Sequence, residues 1–331
     1  MAAAPKPVSL ALQGGGAHGA FTWGVLDALC EDGRLDPRAI TATSAGAMNA
    51  CAFAMGRVQG GREGAREAME AFWRAVSRAG GPFKPIAGSG WFPWLDALNR
   101  MFSPYDVNPF NFDPLTEILA GQIDFDAVHA CQDTQLFIAA TEVETGRAKV
   151  FQGDDVTLAA VRASATLPFA HQAVEIDGKP YWDGGFTGNP ALWPLFYADT
   201  PADLLIVHIN PMHRAGTPKS AEDIMNRVNE ITFNASLLAE LRAIAFVKRL
   251  IGDGMLADPG KARLRDILVH SIRADQALEA LPASTKYDTS WRFLTDLRDR
   301  GRDAAFAWLE RCADSVGERS TIDLKADFLQ S

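Results

Sequence analysis

Thr41-Ala42-Thr43-Ser44-Ala45-Gly46 decides how this chain reads. It joins a short apolar run, Ala39-Ile40-Thr41-Ala42, to a helical run of small residues from Ala45 to Met55. A serine at a strand-to-helix corner is the setting of a nucleophile elbow. The turn is tight enough for the hydroxyl to project from the end of a sheet, and small neighbours let strand and helix pack closely. The usual pattern is G-x-S-x-G. Here its first glycine is Ala42, and the added methyl predicts a slightly wider turn. A serine followed by small residues is also an ordinary helix N-cap, so the six residues need support from elsewhere in the chain.

Upstream, Val8–Leu12 is a short apolar strand that ends in Gln13-Gly14-Gly15-Gly16-Ala17-His18-Gly19. A helix follows, with Phe21, Val25, Ala28 and Leu29 on one side and Asp32-Gly33 at its end. Amides exposed at such a turn, with a helix dipole behind them, attract an anion. Two anions fit. Gly14-x-Gly16-x-x-Gly19 matches the dinucleotide fingerprint, which expects an acid at the end of the next strand to hold a ribose. That strand ends in Ala42-Thr43-Ser44, and the nearby acids Glu31, Asp32 and Asp36 precede it. The other anion is the oxyanion formed when Ser44 attacks a carbonyl, held by the glycine amides. Loops at the carboxyl ends of neighbouring parallel strands share one crevice, so the two turns can face one reacting atom.

Downstream, a helix between Gly56 and Gly80 carries Ala68, Phe72, Trp73 and Val76 on its apolar side. Gly81–Pro114 is broken by prolines and rich in aromatics from Phe83 to Phe112. Such an insertion reads either as a lid or as a loop covering the core; a lid would give an apolar groove for an acyl chain. Strands follow at Gln135–Thr141 and Ala148–Phe151, then a helix over Thr157–Ala165 stopped by Leu167-Pro168-Phe169. Asp177-Gly178 marks a hairpin. Its second strand, Pro180–Trp182, runs into Asp183-Gly184-Gly185, which taken alone is only a turn. Asp203–Asn210 is a buried strand, and Pro218–Ile251 a long helix opened by a Ser220/Asp223 capping box. Asp266–Ile272 reads as an edge strand and Arg302–Cys312 as a last helix.

The 331 residues are 47% hydrophobic, enough for a sizeable core. A net charge of −9 argues against a nucleic-acid partner and against attraction to anionic headgroups, so any membrane contact is expected to be peripheral and apolar. Cys30, Cys51, Cys131 and Cys312 have no metal or disulfide spacing. His129, His213 and His270 have no recognisable partners, His208 sits in an apolar strand, and Asn49 has no assigned role. Met1–Pro7 lacks the apolar core of a signal peptide, and no apolar run reaches the length of a membrane span. A cytoplasmic location without cofactor or metal is the expectation.

Taken together, Gly14-Gly15-Gly16-Ala17-His18-Gly19, Thr43-Ser44-Ala45-Gly46 and Asp183-Gly184-Gly185 resemble the patatin-like phospholipase family. Ser164-Ala165-Thr166-Leu167-Pro168 and the strand from Phe137 to Glu142 add to the likeness. The resemblance implies a three-layer α/β/α fold with a mostly parallel sheet. It implies one patatin-like domain over 1–331, with a core about 7–210 and a helical C-terminal extension about 218–331. It makes Ser44 a nucleophile, Asp183 its general base, and the amides of Gly14, Gly15 and Gly16 an oxyanion hole. The substrate would be a lipid or small acyl ester, cleaved through an acyl-enzyme. His18 and Ala45 stand as neighbours of the site. His18 occupies a place where many members have arginine or lysine, and as a histidine it would be partly charged near neutrality. Beside this reading stand a dinucleotide-binding protein using the glycine turn and a non-catalytic lipid-binding member of the fold.

Overall fold

A computed structural model describes residues 4–80, 103–108, 111–168, 170–214, 216–255, 264–278, 281 and 283–329. Eight strands make one sheet: β1 (Lys6–Leu12), β2 (Leu35–Ala42), β3 (Gln135–Glu142), β4 (Ala148–Gln152), β5 (Val174–Ile176), β6 (Lys179–Asp183), β7 (Asp203–His208) and β8 (Leu268–Arg273). Their spatial order is β5-β6-β3-β2-β1-β7-β8, with β4 beside β3. From β3 through β8 the path is parallel, while β4, β5 and β6 join antiparallel. The main helices are α1 (Gly19–Asp32), α2 (Ala45–Gly80), α3 (Pro114–Gln122), α4 (Phe125–Ala130), α5 (Leu158–Ser164), α6 (Ala221–Gly252) and α7 (Trp291–Cys312).

Parallel strands covered on both faces need apolar residues without alternation, and β7 (DLLIVH) is buried throughout. Successive side chains still point to opposite sides. Leu10, Leu12, Leu205 and Val207 meet α1, α2 and α7, while Ala11, Leu204 and Ile206 meet Leu237, Leu241 and Ile244 of α6. The result is three layers. The chain beyond residue 210 enters the same sheet and core: β8 pairs with β7, and Leu294, Leu297, Trp308 and Leu309 of α7 lie in the cluster that contains α1.

Some boundaries differ from the sequence expectation. β2 starts at Leu35, because a register shift opposite Val8 and Ser9 accommodates Pro37 and leaves Arg38 unpaired. The elbow helix does not stop at Gly56. It runs on to a break at Gly60 and Gly61, where the backbone leaves helical geometry (φ 62° at Gly61), and the second limb returns so that Gly64 packs on Gly56. α7 begins at Trp291 rather than Arg302, because Gly301 serves as a contact point with α1 and not as a stop. His270 has two partners, Asp203 (2.9 Å) and Thr321 (3.0 Å), and His129 lies 3.0 Å from the Val156 carbonyl. Most of the aromatic stretch expected as a lid or cover, including Phe83, Trp91, Phe92, Trp94, Phe102 and Phe110, lies outside the described residues. Tyr105 and Phe112 are described, and both are exposed. Among the described residues no helix is long and apolar enough to cross a membrane.

Candidate active site

β1 and β2 are neighbours that end together. Leu12 is paired with Ala42, and Thr43 N–H donates to the Leu12 carbonyl at 3.3 Å. The glycine turn and the elbow are therefore side by side at the carboxyl end of the two central strands. Ser44 has φ 54°, in the left-handed region that a non-glycine residue adopts only at a cost. Ala42 is accommodated in the sheet, and the corner still closes. Gly14 touches the elbow so closely that a Cβ there would lie 2.6 Å from Ser44 Cβ and 2.9 Å from the Thr43 carbonyl. Ser44 N–H donates to Ser164 Oγ at 2.8 Å, at the end of α5.

Asp183 closes β6 opposite Ala140 of β3 and is 1% exposed. Its N–H donates to the Thr166 carbonyl at 2.8 Å, and its own carbonyl accepts from Thr141 Oγ1 at 2.8 Å. One carboxylate oxygen accepts the Gly185 N–H at 2.7 Å, and the Ser44 side chain lies near enough to the carboxylate to favour its charged form. Burial pushes its pKa up to about 7, against the opposing pull of the Gly185 amide, of Ser44 and of the Lys286 charge. So the structure brings Ser44 and Asp183 together from strands on either side of β3.

The glycine turn departs from expectation at Gly14. Its N–H donates to Asn189 Oδ1 at 2.7 Å, so it is engaged inside the fold and does not face a ligand. Its carbonyl accepts from Asn210 Nδ2 at 2.8 Å, and Gln13 Oε1 accepts the backbone amides of Ile209 and Asn210 at 2.9 and 3.0 Å. Gly15 and Gly16 have no amide acceptor among the described residues, and Gly16 has φ 59°. Gln13, Asn189 and Asn210 are fully buried and escaped the sequence reading. A signal was available for the two asparagines: each stands immediately before a proline (Pro190, Pro211), where a strand or turn has to stop.

His18 is fully buried, with Nε2 2.8 Å from Thr285 Oγ1 and no bond to Ser44 or Asp183. Burial, and then the charges of Lys286 and Arg214, lower its pKa to about 3. It is neutral at pH 7, and the partial charge expected from its side-chain type is absent because the ring is buried near two cations. Ala45 begins α2 and faces Gly19, whose Cβ, if present, would lie 2.6 Å from the Ala45 methyl. Asn49 has a clear structural task. Its amide donates to the carbonyls of Gly19 (2.9 Å) and Ala45 (3.1 Å) and its oxygen accepts from Trp73 Nε1 (2.9 Å), tying the start of α1 to both limbs of α2. Among the described residues no group of His, Cys, Asp and Glu could hold a metal ion.

The family model for patatin-like phospholipases matches residues 10–196, more than half of the 331 residues. The chain belongs to the patatin-like phospholipase family. Its mostly parallel sheet between helical layers is the three-layer α/β/α patatin-like fold, and family membership makes it a relative of lipid hydrolases. No curated protein sequence matches it. Among solved structures, the crystal structure of VipD from Legionella pneumophila is similar over 98% of this chain and 73% of that one, at 14% identity and a TM-score of 0.34, a likeness too distant to bear on function. The matched stretch of this patatin-like chain contains the glycine turn, the elbow and Asp183.

Proposed function

We propose that this protein is a serine esterase that cleaves carboxylic esters of lipid-like substrates through a Ser44–Asp183 dyad and an acyl-enzyme. The observation that supports it most is the buried Asp183 carboxylate placed beside the Ser44 side chain, next to an elbow and a glycine turn. An ordinary carboxylate is a poor base for a serine hydroxyl. One whose burial raises its pKa to about 7 is better matched to proton transfer at neutral pH. Ser44 Oγ attacks the ester carbonyl carbon as its proton passes to Asp183. The carbonyl oxygen, now negative, is held by the amides of Gly15 and Gly16, each good donor contributing about 2.7–4 kcal/mol to the transition state. The tetrahedral adduct collapses, the C–O bond to the alcohol breaks, and Asp183 returns the proton to the leaving oxygen. Water, deprotonated by Asp183, then attacks the acyl-serine and releases the acid.

Apart from the ester and the water, every group in this scheme is a residue of the chain. The substrate is a lipid or small acyl ester, and the aromatic segment ahead of α3 suits an apolar acyl group. The dinucleotide reading gains nothing, since the end of β2 presents Thr43 and Ser44 in place of a ribose-binding acid. The test is intact-mass spectrometry after treatment with a fluorophosphonate, with peptide mapping. A single adduct on Ser44 that is lost in Ser44→Ala and in Asp183→Asn is expected. A folded protein that takes no adduct would overturn the proposal and leave a non-catalytic lipid-binding member of the fold.

A further inference from the structure

A lysine from the C-terminal part of the chain stands over this site, and the scheme above does not use it. Lys286 lies on the short turn Ala283–Tyr287. Its carbonyl oxygen sits against Gly16, where a Cβ would approach it to 2.6 Å. Its Nζ donates to Asn210 Oδ1 at 3.0 Å, and Asn210 Nδ2 donates in turn to the Gly14 carbonyl at 2.8 Å. The ammonium is also 6.0 Å from the centre of the Phe233 ring. That ring faces Gly185, the residue whose amide binds Asp183. Lys286 thus lies between the glycine turn on one side and the Asp183 turn on the other.

The geometry points to Lys286 as a positioning residue of the reaction: it braces the Gly15 and Gly16 amides through Asn210 and through its own carbonyl, and its ammonium stands between that turn and the Asp183 turn. This rests on the Ser44–Asp183 reading. The charges that face Lys286 are Asp183 from β6, Glu230 from α6, and Arg214 from the segment before α6, while the neutral His18 lies on the glycine turn. Glu230 is itself held by Arg214 (2.9 Å) and Arg227 (3.1 Å). Asp183, reached by the Lys286 field and contacted by no arginine, is where that charge acts. Burial and Arg214 lower the lysine's own pKa, while Glu230 and Asp183 raise it. Charge at this place is worth more than on the surface, because the site is poorly solvated.

The experiment compares wild type, Lys286→Met and Lys286→Arg by three readings: the pH profile of kcat/KM on a p-nitrophenyl acyl ester, the rate of Ser44 modification by a fluorophosphonate, and direct titration of Asp183 by infrared difference against Asp183→Asn. Lys286→Met is expected to move the acidic limb of the profile to higher pH and lower kcat at least tenfold with little change in KM. It should slow labelling by a similar factor and raise the Asp183 titration, and Lys286→Arg should recover most of each. A folded Lys286→Met protein with an unmoved limb and an unmoved Asp183 titration would overturn the inference. If wild type itself neither turns over ester nor labels, the hydrolase reading fails instead. The Asp183 titration would then still decide whether Lys286 acts on that carboxylate.

Discussion

Asp183 and Glu240 show how a single buried carboxyl ties function to stability. Asp183 has its pKa raised to about 7, above the value near 3.9 expected in an unfolded chain. Its contribution to stability is therefore complete below about pH 4 and is lost as pH rises through about 7. On the proposed dyad activity runs the other way, because only the ionised form can accept a proton. We expect kcat/KM to rise with pH through about 7, and Asp183→Asn to abolish turnover while gaining about 4 kcal/mol of stability at pH 8 and nearly nothing at pH 4, read from denaturant midpoints. Glu240 is a control with no part in the chemistry. It accepts the amides of Leu192 (2.8 Å) and Trp193 (2.7 Å), and burial raises it to about 7 as well. Glu240→Gln keeps an acceptor for those amides, so it should stabilise by about 3 kcal/mol at pH 8, leave stability at pH 4 unchanged, and leave ester turnover intact. Gly14→Ala tests contact in place of charge. A methyl against Ser44 Cβ has to move the elbow, and fluorophosphonate labelling is expected to fall about a hundredfold for a stability cost of about 1–3 kcal/mol.

At the scale of elements, α1 and α7 cross at two glycines. A Cβ on Gly24 would run into the Arg298 carbonyl, and one on Gly301 would run into the Phe21 carbonyl and approach Gly24 Cα to 3.2 Å. The helices touch backbone to backbone, so Gly301→Val should prise them apart and cost at least about 2–3 kcal/mol, measured as a fall in denaturant midpoint at unchanged m-value. Gly301 also shows where sequence reading stops. A glycine inside a charged stretch looks like a helix boundary, and its use as a crossing point depends on Phe21 and Gly24, far away in the chain. The strand ends were legible for the opposite reason: Gly14-Gly15-Gly16, Thr43-Ser44 and Asp183-Gly184-Gly185 are local turn signals that need no distant partner. Engagement of the Gly14 amide was hidden, because its acceptor, Asn189, is 175 positions away. The neutrality of His18 was hidden too, since its burial and the charges around it come from Arg214, Thr285 and Lys286.

At the scale of the molecule, we propose that the whole chain unfolds as one unit. One cluster runs from Val8 through Leu205 to Val316, and β8 is held to β7 across six paired positions from Asp203–Leu268 to His208–Arg273. Lys6 Nζ reaches the carbonyls of Ala313, Asp314 and Val316, joining the first strand to the turn that follows α7. Calorimetry is expected to give a single transition with equal calorimetric and van't Hoff enthalpies. Two separated transitions would instead make residues beyond about 218 an independent extension. Deletion of residues from 265 onward would bare the β7 edge and the outer face of α1, and should yield insoluble chain rather than a smaller esterase.

Ser164 Oγ holds the amide of Ser44, and two residues later the Thr166 carbonyl holds the amide of Asp183. That short span acts as a caliper: the gap between the two groups is set by three residues and not by the long course of chain that separates them. Length in that course is then free to drift. Extra residues spliced into the Glu144-Thr145-Gly146 turn should leave the fluorophosphonate rate where it was, whereas one residue added between Ser164 and Thr166 should abolish it. Insertions elsewhere in that course can come and go without cost to the chemistry for as long as this one measure is left alone.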